Sequence, residues 1–273
     1  MATALRRRRP TRGFLEWLSG TGMDLPFSSV QLDRGRIAWV EAGNPTGEPI
    51  VLVHGLAASG WWWERNLAGL GARHRLLVVD MAGFGASRRQ WFRLDTIAGL
   101  LAAWLDAIGV RRTAVIGHSL GGHVAADLAA TRPDLVDRLV LVDAAALPLE
   151  GSIPGHVRNL LRGGGRSERR LLRIAVADIL RAGPLVILRA GRELLAADLS
   201  DHLPRIAAPT LVVWGDGDAL IPPAAGRRLA GTIPGATFAI VPDAGHAPMW
   251  ERPDLFDRLV LDFLDTTGGP PTP

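Results

Sequence analysis

The chain has 273 residues, 48% of them hydrophobic, with 31 basic side chains against 27 acidic ones and a formal net charge of +4. Cysteine, lysine and tyrosine are all absent. That excludes disulfides, thiolate nucleophiles, iron–sulfur clusters and cysteine-ligated zinc, along with Schiff-base chemistry, the phosphate-gripping lysine of a P-loop and any phenolic acid. All the basic side chains are therefore arginine, so the calculated pI of about 11 reflects a high-pKa base and gives no reason to expect a nucleic-acid partner. The length fits one large α/β domain with an insertion. No apolar run approaches the roughly 20 residues of a membrane span, and the first residues lack the pattern of a secretory signal, so a cytoplasmic protein is expected.

Along the chain, residues 1–25 read as a basic, loosely held leader, with Arg6 to Arg9 as its charge run. Strand-like runs follow at Val30–Leu32 and Arg36–Glu41, split by a turn at Asp33-Arg34-Gly35. Pro49–Val53 is a short, continuous apolar run, as a strand buried on both faces should be. The pattern recurs at Leu76–Val79, Ala114–Ile116, Leu139–Val142, Leu211–Trp214 and Thr237–Val241. Between these runs lie stretches with helical spacing, notably Leu94–Ile108, Leu120–Ala130 and Leu255–Leu264. Alternating strands and helices predict a mostly parallel sheet covered on both faces. The alternation stops over 147–206, an arginine-rich stretch that reads as an inserted helical cap between core segments 26–146 and 207–267. The Gly- and Pro-rich end, 268–273, reads as a disordered tail.

Gly117-His118-Ser119-Leu120-Gly121 matches the G-x-S-x-G nucleophile elbow. Its context supports it: a buried apolar run precedes the serine and a helix follows. Small flanking residues let the chain turn sharply with Ser119 in a strained backbone conformation. The competing explanation is a serine that simply caps the helix. A hydroxyl at its free pKa is a poor nucleophile, so Ser119 also needs a base. His246, on the loop after Thr237–Val241, is placed to be that base.

With Leu52-Val53-His54-Gly55-Leu56, Asp80 to Ser87, Gly117 to Gly122, Trp214 to Asp218, Gly245 to Pro248 and Glu251-Arg252-Pro253 in this order, the sequence resembles the α/β-hydrolase superfamily over nearly its whole length. Met81-Ala82 departs from the Leu-Pro common before Gly-Phe-Gly, away from the chemistry. The resemblance implies the α/β-hydrolase fold and a triad in the order serine, acid, histidine. Asp218, three residues after Gly215, is favoured as the acid over Asp216, whose alternative is loop capping; Asp143 comes third. The resemblance also implies oxyanion donors in the backbone N–H groups of Leu56 and Leu120. His54 and Asp80 are expected to fix loops, and His118 and His123 to pack. Trp61, Trp62, His118 and Met249 are the candidates for lining a substrate pocket. No cofactor and no metal site is expected.

A serine rather than an aspartate argues against dehalogenase or epoxide-hydrolase chemistry. A small-molecule acyl substrate is expected, with an ester, lactone or thioester cleaved through an acyl-enzyme. Carbon–carbon hydrolysis, perhydrolase-type activity and a slow-turnover ligand receptor are the alternatives. The arginines of the cap allow an acidic carrier protein or an anionic membrane surface as partner; the oligomeric state is left open.

Overall fold

The computed structural model describes residues 27–148 and 169–266 in full and the backbone of residues 3–8. The strands are β1 (Thr3–Arg8), β2 (Phe27–Leu32), β3 (Gly35–Gly43), β4 (Pro49–Val53), β5 (Arg75–Asp80), β6 (Thr113–His118), β7 (Val136–Val142), β8 (Thr210–Gly215) and β9 (Thr237–Val241). The helices are α1 (Leu67–Gly71), α2 (Leu94–Ala107), α3 (Leu120–Thr131), α4 (Arg169–Ala182), α5 (Pro184–Ala196), α6 (Pro223–Thr232), α7 (Pro248–Glu251) and α8 (Pro253–Asp265), and a 3-10 helix covers Gly60–Asn66.

The strands form one nine-stranded sheet in the order β1-β2-β3-β5-β4-β6-β7-β8-β9. β1, β2 and β3 join it antiparallel, and from β5 across to β9 all neighbours are parallel. The parallel strands are the continuous apolar runs of the sequence, because helices cover both their faces. Alternate side chains feed two separate cores: Val51 and Val53 pack with α2, α3 and α6, whereas Ile50 and Leu52 pack with Trp63, Trp250, Phe256 and Val260. This is the α/β-hydrolase fold, a mostly parallel, doubly covered sheet.

One expectation needs revision. Residues 3–8 of the leader are a strand, paired with β2 through Arg6↔Ser29 and Arg8↔Phe27, so this part of residues 1–25 belongs to the sheet. The signal was masked because an arginine run looks unlike a strand that buries a face. The remainder of the leader, the tail 268–273 and residues 149–168 of the expected cap lie outside the described residues. Within the insertion between β7 and β8, the structure contains the helical pair α4–α5, joined at Gly183, whose φ of 79° turns the chain before Pro184 starts the second helix.

Topology locates the crevice. From β4 the chain winds to β5 on one side and then to β6 on the other, so the direction of winding reverses beside β4 and β6. Ligands in open parallel sheets bind outside the carboxyl ends of the strands at such a reversal. Register aligns these ends, with Val53 beside Gly117, His118 beside Val142 and Val142 beside Val213. Among the described residues, no helix is long and apolar enough to cross a membrane.

Candidate active site

Ser119 follows β6 directly and stands at the first position before α3, with φ 53° and ψ −116°. A side chain there costs of order 1–3 kcal/mol unless its surroundings hold it. They do. The N–H of Ser119 donates to the carbonyl of Val142 at 2.9 Å, and its own carbonyl accepts from Gly122 at 2.9 Å and Ala145 at 3.1 Å. The turn also needs glycine where backbones meet: a Cβ on Gly121 would stand 2.4 Å from the carbonyl oxygens of both Val53 and His54. The capping explanation for Ser119 fails on geometry, since its side chain makes no capping hydrogen bond.

His246, on the loop after β9, is brought to Asp218: its Nδ1 lies 2.8 Å from Asp218 Oδ2. The other oxygen of Asp218 accepts the N–H groups of Leu220 at 2.8 Å and Ile221 at 3.0 Å, which fixes the carboxylate. Burial pushes this carboxyl up, but the His246 ring and the bond from Ile221 outweigh it, so its value falls below the ordinary one. Asp216 is exposed and accepts only the N–H of Ala244, at 3.3 Å, so it is not brought to His246.

Asp143 lies deeper, fully buried after β7, with one oxygen accepting the N–H of Gly215 at 3.1 Å. Burial, and then the charge of Asp218, raise this carboxyl well above the ordinary range. Its Oδ2 finds no donor. Its ionised form is therefore disfavoured beside Asp218. The side chains of Asp143, Asp218 and His246 offer ligand atoms within 4.8 Å of one another. A metal shared by them would have to displace the bond between His246 Nδ1 and Asp218, so the donor set fits a histidine oriented by a carboxylate better than an ion.

Three further histidines near the site make backbone contacts. His54 Nε2 accepts the N–H of Met81 at 3.0 Å while Nδ1 sits 2.8 Å from the Gly55 carbonyl, which makes it a neutral ring that ties two loops. Asp80 does the same for Gly60 and Ala86, at 2.8 and 2.7 Å. His123 Nδ1 meets the Ala145 carbonyl at 3.2 Å. His118 does more than pack. Its Nε2 donates to the backbone carbonyl of His246 at 2.7 Å, and burial, aided by the nearby His246, pushes its ring down to about 3. It therefore stays neutral and holds the main chain of His246 in place.

The loop after β4 closes the other side. The Cβ position of Gly55 is 3.2 Å from Ser119 Cβ, which brings Leu56 beside the serine. Leu120 is the first residue of α3, and the first N–H groups of a helix have no intrahelical acceptor. The tryptophans divide. Trp62 stacks on His118 at 5.8 Å, Trp61 packs edge-on against Phe27, and Trp63 is fully buried against Phe256. Met249 is fully buried, in the core beneath α7. Of the four pocket candidates, His118 lies against His246 with Trp62 stacked on it, Trp61 is half-buried and lines a small cavity with Phe27 and Val40, and Met249 is buried in the core.

Other contacts have weaker sequence signals. Glu251 Oε2 accepts the N–H of Gly245 at 2.7 Å and so steadies the His246 loop; the Glu251-Arg252-Pro253 motif marked its place but not its partner. Asn66 donates to the Met249 carbonyl at 3.0 Å and to Asp257 at 2.8 Å. Ser59 donates to Asp178 of α4 at 2.9 Å, and the Cβ position of Gly191 in α5 lies 3.9 Å from Leu56 Cδ2. Both inserted helices thus touch the loop beside Ser119. Pairs separated by more than a hundred residues have no local pattern to reveal them.

Comparison with known proteins agrees with this geometry. The 2-hydroxy-6-oxononadienedioate/2-hydroxy-6-oxononatrienedioate hydrolase of Cupriavidus pinatubonensis is 32% identical over 257 residues, spanning 81% of this chain and 89% of that protein. A membrane phospholipase A described as a bacterial virulence factor superposes with a TM-score of 0.75 at 28% identity, over 92% of this chain and 88% of the other. The enol-lactonase of Burkholderia xenovorans LB400 gives 0.72 at 26% identity, over 85% and 98%. The model of the alpha/beta hydrolase family matches residues 50–259, which runs from β4 through the Ser119 elbow and the His246 loop into α8. A hydroxyl freed on a strained turn, a histidine bound to a buried carboxylate and that match over most of the sheet lead to one conclusion: the chain belongs to the alpha/beta hydrolase family, and the protein is a hydrolase.

Proposed function

We propose that the protein is a serine hydrolase that cleaves a carboxylic ester, including lactones and thioesters, through an acyl-enzyme on Ser119. The observation that carries the reading is the uncapped hydroxyl of Ser119 on its strained turn, at the sheet end that holds the His246–Asp218 pair. Ser119 Oγ attacks the carbonyl carbon as His246 Nε2 takes its proton. The Nδ1–H of His246 donates to ionised Asp218, which keeps the ring in the right tautomer and stabilises the imidazolium. The N–H groups of Leu56 and Leu120 receive the oxyanion. The tetrahedral adduct collapses, the alcohol leaves with the proton from His246, and water repeats the sequence to release the acid. The apolar side chains of Leu56 and Trp62 suit an acyl chain. The phospholipase and lactonase likenesses point to acyl–oxygen cleavage as well.

Carbon–carbon hydrolysis is the second reading, favoured by the 32% identity to the dienedioate hydrolase. Perhydrolase-type chemistry would use the same serine, and a slow-turnover ligand receptor would keep the site and lose the rate. The test is labelling with a fluorophosphonate probe, followed by turnover of graded p-nitrophenyl esters, lactones and a 2-hydroxy-6-oxo-dienoate. Labelling at Ser119, lost in Ser119→Ala together with about a million-fold of kcat, is expected. Preference for the dienoate over every ester would transfer the assignment to carbon–carbon cleavage. Labelling that persists in Ser119→Ala would remove the nucleophile.

A further inference from the structure

We propose that the inserted helical pair docks on an anionic lipid surface through the outer face of α4 and the first turns of α5. α4 turns Leu171, Ile174 and Ala177 inward, yet Leu172, Val176, Ile179 and Leu180 face solvent, with Leu172 60% and Leu180 59% exposed. Their spacing of four, three and one places them along one side of the helix. Immediately past the turn at Gly183, Leu185 is 81% exposed and Leu188 51%. Trp91, 73% exposed, lies beside them under the guanidinium of Arg189, 4.6 Å from its carbon. A helix that is apolar on both sides belongs against a second apolar phase, and an apolar patch of this extent marks a contact surface.

Charge selects the occupant. Arg169 and Arg173 at the start of α4 and Arg192 on α5 are exposed. The acids of these two helices are occupied elsewhere: Asp178 is buried on Ser59 and Arg181, and Glu193 bonds Arg189 and the N–H of Leu94. The outer face thus offers leucine, isoleucine and valine within a collar of one sign. A second copy would set arginine against arginine. Residues 149–168 carry Arg158, Arg162 and Arg166 against Glu150 and Glu168, so they supply no surplus of acid. An anionic bilayer provides both the apolar phase and the negative charge, and its interface accommodates tryptophan. The inner side of the same helical pair touches the loop beside Ser119 through Gly191 and Asp178. A docked protein would therefore hold that loop close to the membrane surface.

The test uses the full-length chain carrying Ser119→Ala, so that binding is measured whether or not the ester reading holds. Co-sedimentation is compared between vesicles of phosphatidylcholine alone and vesicles that also contain phosphatidylglycerol. Binding to the anionic vesicles, weakened strongly by high salt, is expected. Replacing Arg169, Arg173 and Arg192 by Gln should weaken it about a hundredfold, and Leu180→Asp with Leu185→Asp should abolish it. In the Ser119 protein these surface changes should leave turnover of a small soluble ester unchanged. Binding to neither vesicle, equal binding to both, or undiminished binding by the leucine variant would each overturn the proposal. So would capture by a soluble acidic protein at salt concentrations where anionic vesicles do not bind.

Discussion

The sheet end that carries Ser119 and the helical pair that touches it are built in opposite ways. Around Ser119 nearly every group has a fixed partner: both backbone groups of the serine are hydrogen-bonded, Gly121 lies against two carbonyls, and Asp218 is held by His246 and two N–H groups. The pair α4–α5 is tied to the body by a few contacts, including Ser59–Asp178, and leaves six large apolar side chains outward. The first region is organised for one geometry, as electrostatic stabilisation of a transition state requires. The second is organised to meet something else.

The largest expected effect lies in the rigid region. Asp218→Asn should lower kcat on the best ester by about ten-thousandfold, whereas Asp216→Asn should cost less than about tenfold. The reverse ranking would break the division between the buried acid and the loop cap. Asp143 sharpens it. Asp143→Asn keeps a donor facing Asp218 and should be mild, while Asp143→Leu removes it and should lower kcat by about 10–100-fold. Equal effects of the two would deny Asp143 its role as donor.

Stability gives the next contrast. Gly121→Ala forces a methyl group into two backbone carbonyls and should cost about 1–3 kcal/mol, lowering Tm by several degrees in calorimetry. Leu180→Ala on the insertion leaves only exposed surface behind and should stay within about 0.5 kcal/mol. Comparable shifts in the two variants would mean that the insertion is as tightly coupled to the fold as the elbow.

A further contrast concerns pH. Burial pushes the carboxyls of Asp178 and Asp257 up to about 7, above their ordinary value of 3.8. Between these values the folded protein holds protons that the unfolded chain has released, so stability falls as pH rises through that window. Tm should therefore decline between roughly pH 5 and pH 8. Asp178→Asn should flatten the decline, leaving the part due to Asp257. An unchanged slope in that variant would show that the contact between α4 and Ser59 does not titrate.

The sheet was legible in the sequence because its parallel strands are short apolar runs, and Pro49–Val53, buried on both faces, and Thr237–Val241, a half-buried outer strand, match β4 and β9 end to end. The elbow was legible because a sharp strand-to-helix turn demands glycine at fixed offsets. Asp143 was harder. Sequence order made it a rival to Asp218 as the acid, and only the three-dimensional structure places it behind Asp218, fully buried, with its carboxyl raised above the ordinary range. Lining a pocket and filling a core use the same apolar residues, so the sequence could not separate the half-buried Trp61 from the fully buried Met249. His118 was read as packing or pocket lining, and its bond to the main chain at position 246 joins two loops that no spacing rule connects.

The strand at residues 3–8 has a practical consequence. It is the outermost member of the sheet, and it occupies the edge that β2 would otherwise present. Removing it, as a shortened expression product or a protease might, would leave the backbone of Phe27–Leu32 without that neighbour and free to recruit a strand from another molecule. A preparation that begins after residue 26 would then be expected to lose solubility before it loses the Ser119 site, which lies across β3, β5 and β4 from that edge.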